Sequence, residues 1–311
     1  MKISTSHNDL IGIRGMSVEN LNWILDRSTD YMKQLDASGA ITFPEILKGL
    51  TVANLFFENS TRTRSSFELA EKRLGASVLS LSMQTSSLTK GESLIDTVKV
   101  ITAMKIDAVV VRHRSPGVPE LLRKHLPDDI RILNAGDGAN EHPTQALLDA
   151  ATLLENFGSL KGKQIAIVGD ITHSRVARSN IHLLKKLGAR ITVVAPTTLV
   201  PSTFSQVFNV SVSHHLDEVL PSLDAVIMLR IQRERQDKGF LPNVEEFREL
   251  YGMTAKRYAA YPDLLVLHPG PVNRGVELDD EALDGERSLV FRQVKRGVAI
   301  RMAVLEWIFA D

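Results

Sequence analysis

Short apolar, β-branched runs alternate with helix-period segments along most of this 311-residue chain. That alternation restricts the fold more than any single motif does, because it demands strands covered by helices. Strand candidates are 51–57, 77–81, 107–112, 130–134, 164–169, 190–195, 209–213, 224–229 and 264–267. Ala108 to Val111 and Ile165 to Val168 have no polar break, as strands buried on both faces require. Between the runs lie helix candidates at 62–74, 93–104, 117–125, 174–187 and 244–250. Gly75 and Gly188 follow two of them, where a left-handed terminating residue belongs. The pattern predicts an α/β fold with two doubly wound parallel-sheet domains.

A long helix at about 143–156 joins the two halves, with Pro143 in a first turn where its missing N–H costs little. Residues 157–163 read as the linker to a new strand. The expected division is 1–150 plus 288–311 for one domain and 151–287 for the other. The last segment, 290–309, carries apolar residues at helical spacing and is expected to pack back on the N-terminal domain.

Composition removes several function classes. Lys+Arg and Asp+Glu are 37 each, so no global basic field recruits nucleic acid. Cysteine is absent, which excludes thiol nucleophiles, disulfides and thiolate metal sites. Residues 1–16 are polar and lack a signal-peptide core, and no apolar run reaches the roughly 20 residues that span a bilayer. A cytoplasmic protein off the membrane is expected.

Against that neutral background, Ser60, Thr61, Arg62, Thr63 and Arg64 crowd two arginines and three hydroxyls between a strand and a helix. The first N–H groups of a helix lack internal partners and its dipole favours negative charge there. Arginine forks and hydroxyls add the donors that a phosphate takes. The segment reads as an oxyanion trap, with a capped helix and solvated arginines as the plainer alternative.

Ligands of open α/β sheets collect beyond the carboxyl ends of the strands. Polar residues recur at those ends: Arg112 to Arg114, His142 with Gln145, Asp170 with Arg175, Arg230 with Gln232, and His268 to Pro271. This inventory is rich in arginine and poor in carboxylates, so it suits anions and a polarised carbonyl, and it predicts one cleft lined by both domains. It lacks the paired acids of a glycosidase and the ligand cluster of a metal site. Neither dinucleotide nor P-loop glycine motifs occur. No metal and no cofactor are expected. Gln84 to Glu92 forms a polar loop with an isolated Lys90, long enough to reach a neighbouring site.

With Ser60 to Arg64, Lys90 to Glu92, Arg112-His113, His142 to Gln145, Arg175, Arg230 to Gln232, His268-Pro269 and Arg301, the chain resembles the aspartate carbamoyltransferase family over its full length. The first motif is common to the wider aspartate/ornithine superfamily. His-Pro-Thr-Gln and Arg-x-Gln resemble the aspartate branch, whereas the ornithine branch carries cysteine-containing motifs that this chain cannot supply.

The resemblance implies transfer of a carbamoyl group from carbamoyl phosphate to L-aspartate, in pyrimidine biosynthesis. Ser60, Thr61, Arg62, Thr63 and Arg112 would hold the phosphate. Thr63, Arg112 and His142 would donate to the carbonyl oxygen, and Gln145 with the carbonyls near Pro269 and Gly270 would hold the carbamoyl NH2. Arg175, Arg230 and Gln232 would grip the aspartate carboxylates. Ser86 and Lys90 would enter from the adjacent subunit of a homotrimer, Lys90 serving both aspartate binding and catalysis.

Val176, Gly270 and Thr89 depart from residues found in some members, which bears on aspartate affinity and not on the core set. Association with a dihydroorotase or a regulatory chain is open. Two rivals stand beside this reading: transfer to another amine such as ornithine, and a scaffold-only homologue in a pyrimidine-pathway complex.

Overall fold

The computed structural model describes residues 8–38, 42–82, 93–231 and 244–310. It divides into two compact units, residues 1–151 with 295–311, and residues 152–294.

In the first unit the order is α1 (Val18–Asp36), β1 (Thr51–Phe56), α2 (Thr61–Arg73), β2 (Ser77–Ser82), α3 (Leu94–Thr102), β3 (Ala108–His113), α4 (Val118–His125), β4 (Arg131–Asp137) and α5 (Pro143–Phe157). The strands form one parallel sheet in the order β2-β1-β3-β4. Each βαβ step returns the chain to the same end of the sheet, so the loops after β1, β3 and β4 share the carboxyl edge. Leu55, Val98, Val109, Val111, Leu122 and Ile132 fill one core of this unit. Full burial of such a side chain contributes about 1.5–3 kcal/mol. Ser17 and Ser93 cap α1 and α3 by accepting from the N–H groups of Asn20 and Asp96.

In the second unit come β5 (Gln164–Val168), α6 (Arg175–Lys186), β6 (Arg190–Val194), α7 (Phe204–Phe208), β7 (Ser211–Ser213), α8 (Leu216–Val219), β8 (Ala225–Met228), α9 (Val244–Tyr251), α10 (Ala255–Ala260), β9 (Leu265–Leu267), α11 (Asp280–Asp284) and the first residues of α12 (Val290–Phe309), the rest of which belongs to the first unit. Its sheet is also parallel, in the order β7-β6-β5-β8-β9. The central β5 and β8 are fully buried after the first residue of β5, which explains their unbroken apolar sequence. Helix α5 starts in the first unit and ends in the second, and α12 crosses between units once more.

Two local expectations need adjustment. The strand expected to end at residue 134 runs on through Asp137, because Asp137 pairs with His113 after a register shift and Gly136 takes a φ of 122°. The strand expected from residue 209 begins at Ser211, since Asn209 ends α7 in the left-handed conformation that asparagine tolerates.

Candidate active site

Ser60 occupies the N-cap position of α2, yet its hydroxyl makes no cap hydrogen bond. Its backbone is not helical, with φ −161° and ψ 86°, and the Ser60 carbonyl accepts from the Arg64 N–H at 3.2 Å. Thr61 and Arg62 are exposed at the mouth of the helix, whereas Thr63 is buried. Arg64 turns along the helix towards Glu68, 3.8 Å away, and so leaves the cluster around Arg62.

Arg112 stands at the end of β3, next to β1: the Phe57 N–H donates to the Arg112 carbonyl over 2.9 Å. Its guanidinium is anchored twice. Nε lies 2.7 Å from a Glu58 carboxylate oxygen, and Nη1 donates to the Ala135 carbonyl at 3.0 Å. The ends of β1, β3 and β4 are thereby tied together at Arg112. His113 points elsewhere: its ring packs on Phe57 and its Nδ1 accepts from the Ser115 N–H, and burial lowers its pKa.

His142 precedes α5 and is buried, and its carbonyl accepts from the N–H groups of Gln145 and Ala146. The Gln145 amide donates to Asp149 Oδ1 at 2.9 Å. A carboxylate can only accept, so this bond fixes the amide and makes Oε1 the atom suited to an incoming NH2. Beneath the site, the fully buried Arg301 donates to the Gly297 carbonyl and to Thr144 Oγ1, and its guanidinium lies 4.9 Å from the Phe67 ring centroid. Arg301 thus braces α5 and α2 from behind. Burial pulls its pKa down to about 9.

In the second unit, Arg175 is the first residue of α6 and Arg230 follows β8, on strands that are direct neighbours. The Leu229 N–H donates to the Val168 carbonyl at 2.8 Å, and Gly169, at φ 124°, lets the two strand ends approach. Asp170 accepts from both the backbone N–H and Nδ1 of His173, and Ser174 caps α6 through the Ala177 N–H. Next to β8, β9 leads into His268, Pro269 and Gly270. Gly270 adopts a φ of 63°, a left-handed conformation where glycine replaces a side chain without strain.

The structure therefore gathers Ser60, Thr61, Arg62, Thr63, Arg112, His142 and Gln145 on adjoining loops of one sheet. It places Arg175, Arg230, Pro269 and Gly270 on adjoining loops of the other. Ser86, Lys90 and Gln232 lie outside the described residues. The sequence reading passed over Glu58, Asp149, Asn273 and Glu277, which are all site-adjacent carboxylates or amides. For Glu58 the signal was its place at the start of the hydroxyl-arginine segment; Glu277 offered only an acid between two apolar residues.

Residues 8–155 match the aspartate/ornithine carbamoyltransferase carbamoyl-phosphate-binding domain, and residues 161–308 match the Asp/Orn-binding domain of the same enzymes. The chain belongs to the aspartate/ornithine carbamoyltransferase family. It is 50% identical over 308 residues to the aspartate carbamoyltransferase catalytic subunit of Acidiphilium cryptum, covering 98% of this chain and 97% of that one. Its fold is similar to aspartate transcarbamoylase from Trypanosoma cruzi with carbamoyl phosphate and aspartate, at TM-score 0.87 and 31% identity over 99% and 98% of the two chains. The catalytic subunit from M. Jannaschii is also similar, with TM-score 0.82, 32% identity and 96% of each chain covered.

The arrangement fits the chemistry of a carbamoyltransferase. A helix N-terminus with hydroxyls and an arginine offers the donors that suit a phosphate dianion. An arginine held at both ends and a buried histidine can donate to an oxygen on which charge develops. Among the described residues, no group of three His, Asp or Glu side chains could hold a metal ion, and no helix is long and apolar enough to cross a membrane.

Proposed function

We propose that Ser60, Thr61, Arg62, Thr63 and Arg112 bind the phosphate of carbamoyl phosphate, while Arg175, Arg230 and Gln232 bind the two carboxylates of aspartate. The chain transfers the carbamoyl group of carbamoyl phosphate to the α-amine of L-aspartate, giving N-carbamoyl-L-aspartate and phosphate. The amine nitrogen attacks the carbamoyl carbon, and the electron pair of the C=O bond moves to oxygen. Thr63, Arg112 and His142 donate to that oxyanion. Gln145 and the carbonyls of Pro269 and Gly270 accept from the carbamoyl NH2. The C–O bond to phosphate then breaks, and the leaving phosphate takes the amine proton. Catalysis is by positioning and oxyanion stabilisation, without a covalent intermediate on the enzyme.

The observation that carries the aspartate reading is the pair of arginines, Arg175 and Arg230, on neighbouring strand ends of one sheet. Two cations suit a dicarboxylate and repel the ammonium of ornithine. Phosphate release from carbamoyl phosphate, measured with each amine in turn, tests it. Faster turnover with ornithine would overturn the assignment.

The assembly is a homotrimer with shared sites, in which Ser86 and Lys90 serve a neighbouring subunit's active site in the cytoplasm's pyrimidine pathway. Support comes from exposed apolar side chains on the helices that flank this loop in sequence: Leu69 on α2 and Val100 on α3, with Met104 just past the end of α3. Mixing inactive Lys90→Ala and Arg112→Ala chains tests the shared site. Restored activity is expected, and none after confirmed subunit exchange would refute it.

A further inference from the structure

Glu277 is completely buried between Val276 and Leu278, on no helix or strand, and its carboxylate is a junction of N–H donors. Oε1 accepts from the Ile231 backbone N–H at 2.7 Å and from Asn273 Nδ2 at 2.7 Å. Oε2 accepts from the Asn273 backbone N–H at 2.8 Å, with His268 Nε2 4.0 Å away. Asn273 Nδ2 also reaches the Ile231 carbonyl at 3.2 Å.

These donors come from two segments with separate duties in the proposed site. Ile231 follows Arg230 directly, so its N–H belongs to the peptide unit that carries the aspartate-binding arginine. His268 and Asn273 bracket Pro269 and Gly270, whose carbonyls take the carbamoyl NH2. The His268 ring adds a second tie inside that bracket, because its Nδ1 accepts from the Gly270 N–H at 2.8 Å. That bond places the proton of a neutral ring on Nε2, the nitrogen on the side of Glu277.

We infer that Glu277 is a positioning residue for carbamoyl transfer, locking the Arg230 segment and the Pro269–Gly270 carbonyls into one register through Ile231 and Asn273. The inference rests on the site roles proposed above. A carboxylate is needed because it accepts at both oxygens, whereas an amide accepts at one and donates at the other. In Glu277→Gln, placing the amide oxygen at the Oε1 position sets an NH2 against the Asn273 N–H. The opposite rotamer sets it against the Ile231 N–H. Either way one of the two segments loses its anchor. A register error near 1 Å costs on the order of 100-fold in rate in such sites.

The test uses the full-length enzyme and compares Glu277→Gln, Asn273→Ala and Arg230→Ala with the unmodified chain. Measured are kcat, KM for aspartate, KM for carbamoyl phosphate and the thermal midpoint. Glu277→Gln is expected to raise KM for aspartate about 10-fold and lower kcat about 100-fold. KM for carbamoyl phosphate should stay within about threefold, because the phosphate grip lies on the other sheet. Asn273→Ala, which spares the carboxylate, should change the same two constants about fivefold. A wild-type KM for aspartate and kcat in Asn273→Ala would overturn the proposal even if Glu277→Gln fails to fold. So would a Glu277→Gln enzyme that loses thermal stability while keeping both constants. If Arg230→Ala leaves KM for aspartate unchanged, the site reading itself has failed, an outcome that the other two variants do not mimic.

Discussion

The Asn54 side-chain amide donates to a carboxyl oxygen of Glu71 over 2.7 Å, and neither residue is exposed to solvent. Asn54 sits in the middle of β1 and Glu71 in the last turn of α2, so this bond joins the strand that precedes Ser60 to Arg64 to the helix that begins in that segment. Among the described residues, the other oxygens of both side chains, Asn54 Oδ1 and Glu71 Oε1, make no hydrogen bond. A proton on Glu71 removes the cost of burying a charged carboxylate that accepts at only one of its oxygens.

Burial pushes the Glu71 carboxyl from 4.5 up to about 8; Asn54 opposes the shift, neighbouring Glu68 adds to it and Lys72 opposes it weakly. The folded chain therefore holds a proton that the unfolded chain releases between pH 4.5 and about 8. With more protons bound when folded, this group's contribution to stability is full below pH 4.5 and declines as pH rises to about 8. The loss is on the order of a few kcal/mol. Glu71→Gln, which keeps a donor and cannot ionise, should lose distinctly less melting temperature than the unmodified chain between pH 5.5 and 8.5. Parallel melting curves at several pH values check this.

The fold was legible where physics is local. Unbroken runs such as Ala108 to Val111 can only be strands covered on both sides, and Gly75 and Gly188 do end helices in left-handed conformations. The arginines of the candidate site stand out in the sequence because strand ends are where a polar residue follows an apolar run. What stayed hidden depends on partners distant in sequence. Glu277 lies 46 residues from Ile231, and no periodicity tells a buried acceptor from a solvated acid. Arg301 is separated from Thr144 by 157 residues, and a charged residue in an amphipathic helix ordinarily reads as surface. The extension of β4 through Gly136 depended on pairing with His113, which a glycine-rich string does not announce.

Arg301 supplies a prediction about support rather than binding. Its guanidinium is enclosed, with Gly297, Thr144 and Phe67 as partners. Arg301→Ala opens a cavity against Phe67 and removes a hydrogen bond from Thr144, a loss of about 2–4 kcal/mol. The thermal midpoint should fall by roughly 4–16 °C, at about 2–4 °C per kcal/mol for a unit of this size. Arg301→Met fills much of the volume and should recover part of the loss. Differential scanning calorimetry of the three chains measures both effects.

Glu58 and Arg112 give a sharper test of the phosphate half. Their side chains are 14% and 12% exposed, so the ion pair is shielded and orients the guanidinium together with the Ala135 carbonyl. Glu58→Gln keeps an oxygen acceptor but lowers its strength. KM for carbamoyl phosphate should rise about 5- to 10-fold, corresponding to about 1–1.4 kcal/mol. If Arg112 also donates to the developing oxyanion as proposed, Arg112→Ala should lower kcat about 100- to 1000-fold. Steady-state kinetics with carbamoyl phosphate varied at saturating aspartate separate the two.

Arg230 tests the division of labour between the sheets. It emerges from β8 beside the loop that carries Arg175, on a unit whose strands contribute nothing to the Ser60–Arg64 segment. If it grips a carboxylate of aspartate, Arg230→Ala loses a charge-assisted hydrogen bond worth about 1.5–3 kcal/mol. KM for aspartate should then rise on the order of 10- to 100-fold, because each 1.4 kcal/mol is tenfold. Carbamoyl phosphate binding, read directly by calorimetry without aspartate, should change less than about twofold. Equal damage to both substrates would mean that Arg230 serves the donor and not the acceptor. Because the hydroxyl-arginine segment resembles one common to the wider superfamily, the proposal assigns the choice of acceptor to Arg175 and Arg230, and this experiment is where that assignment stands or falls.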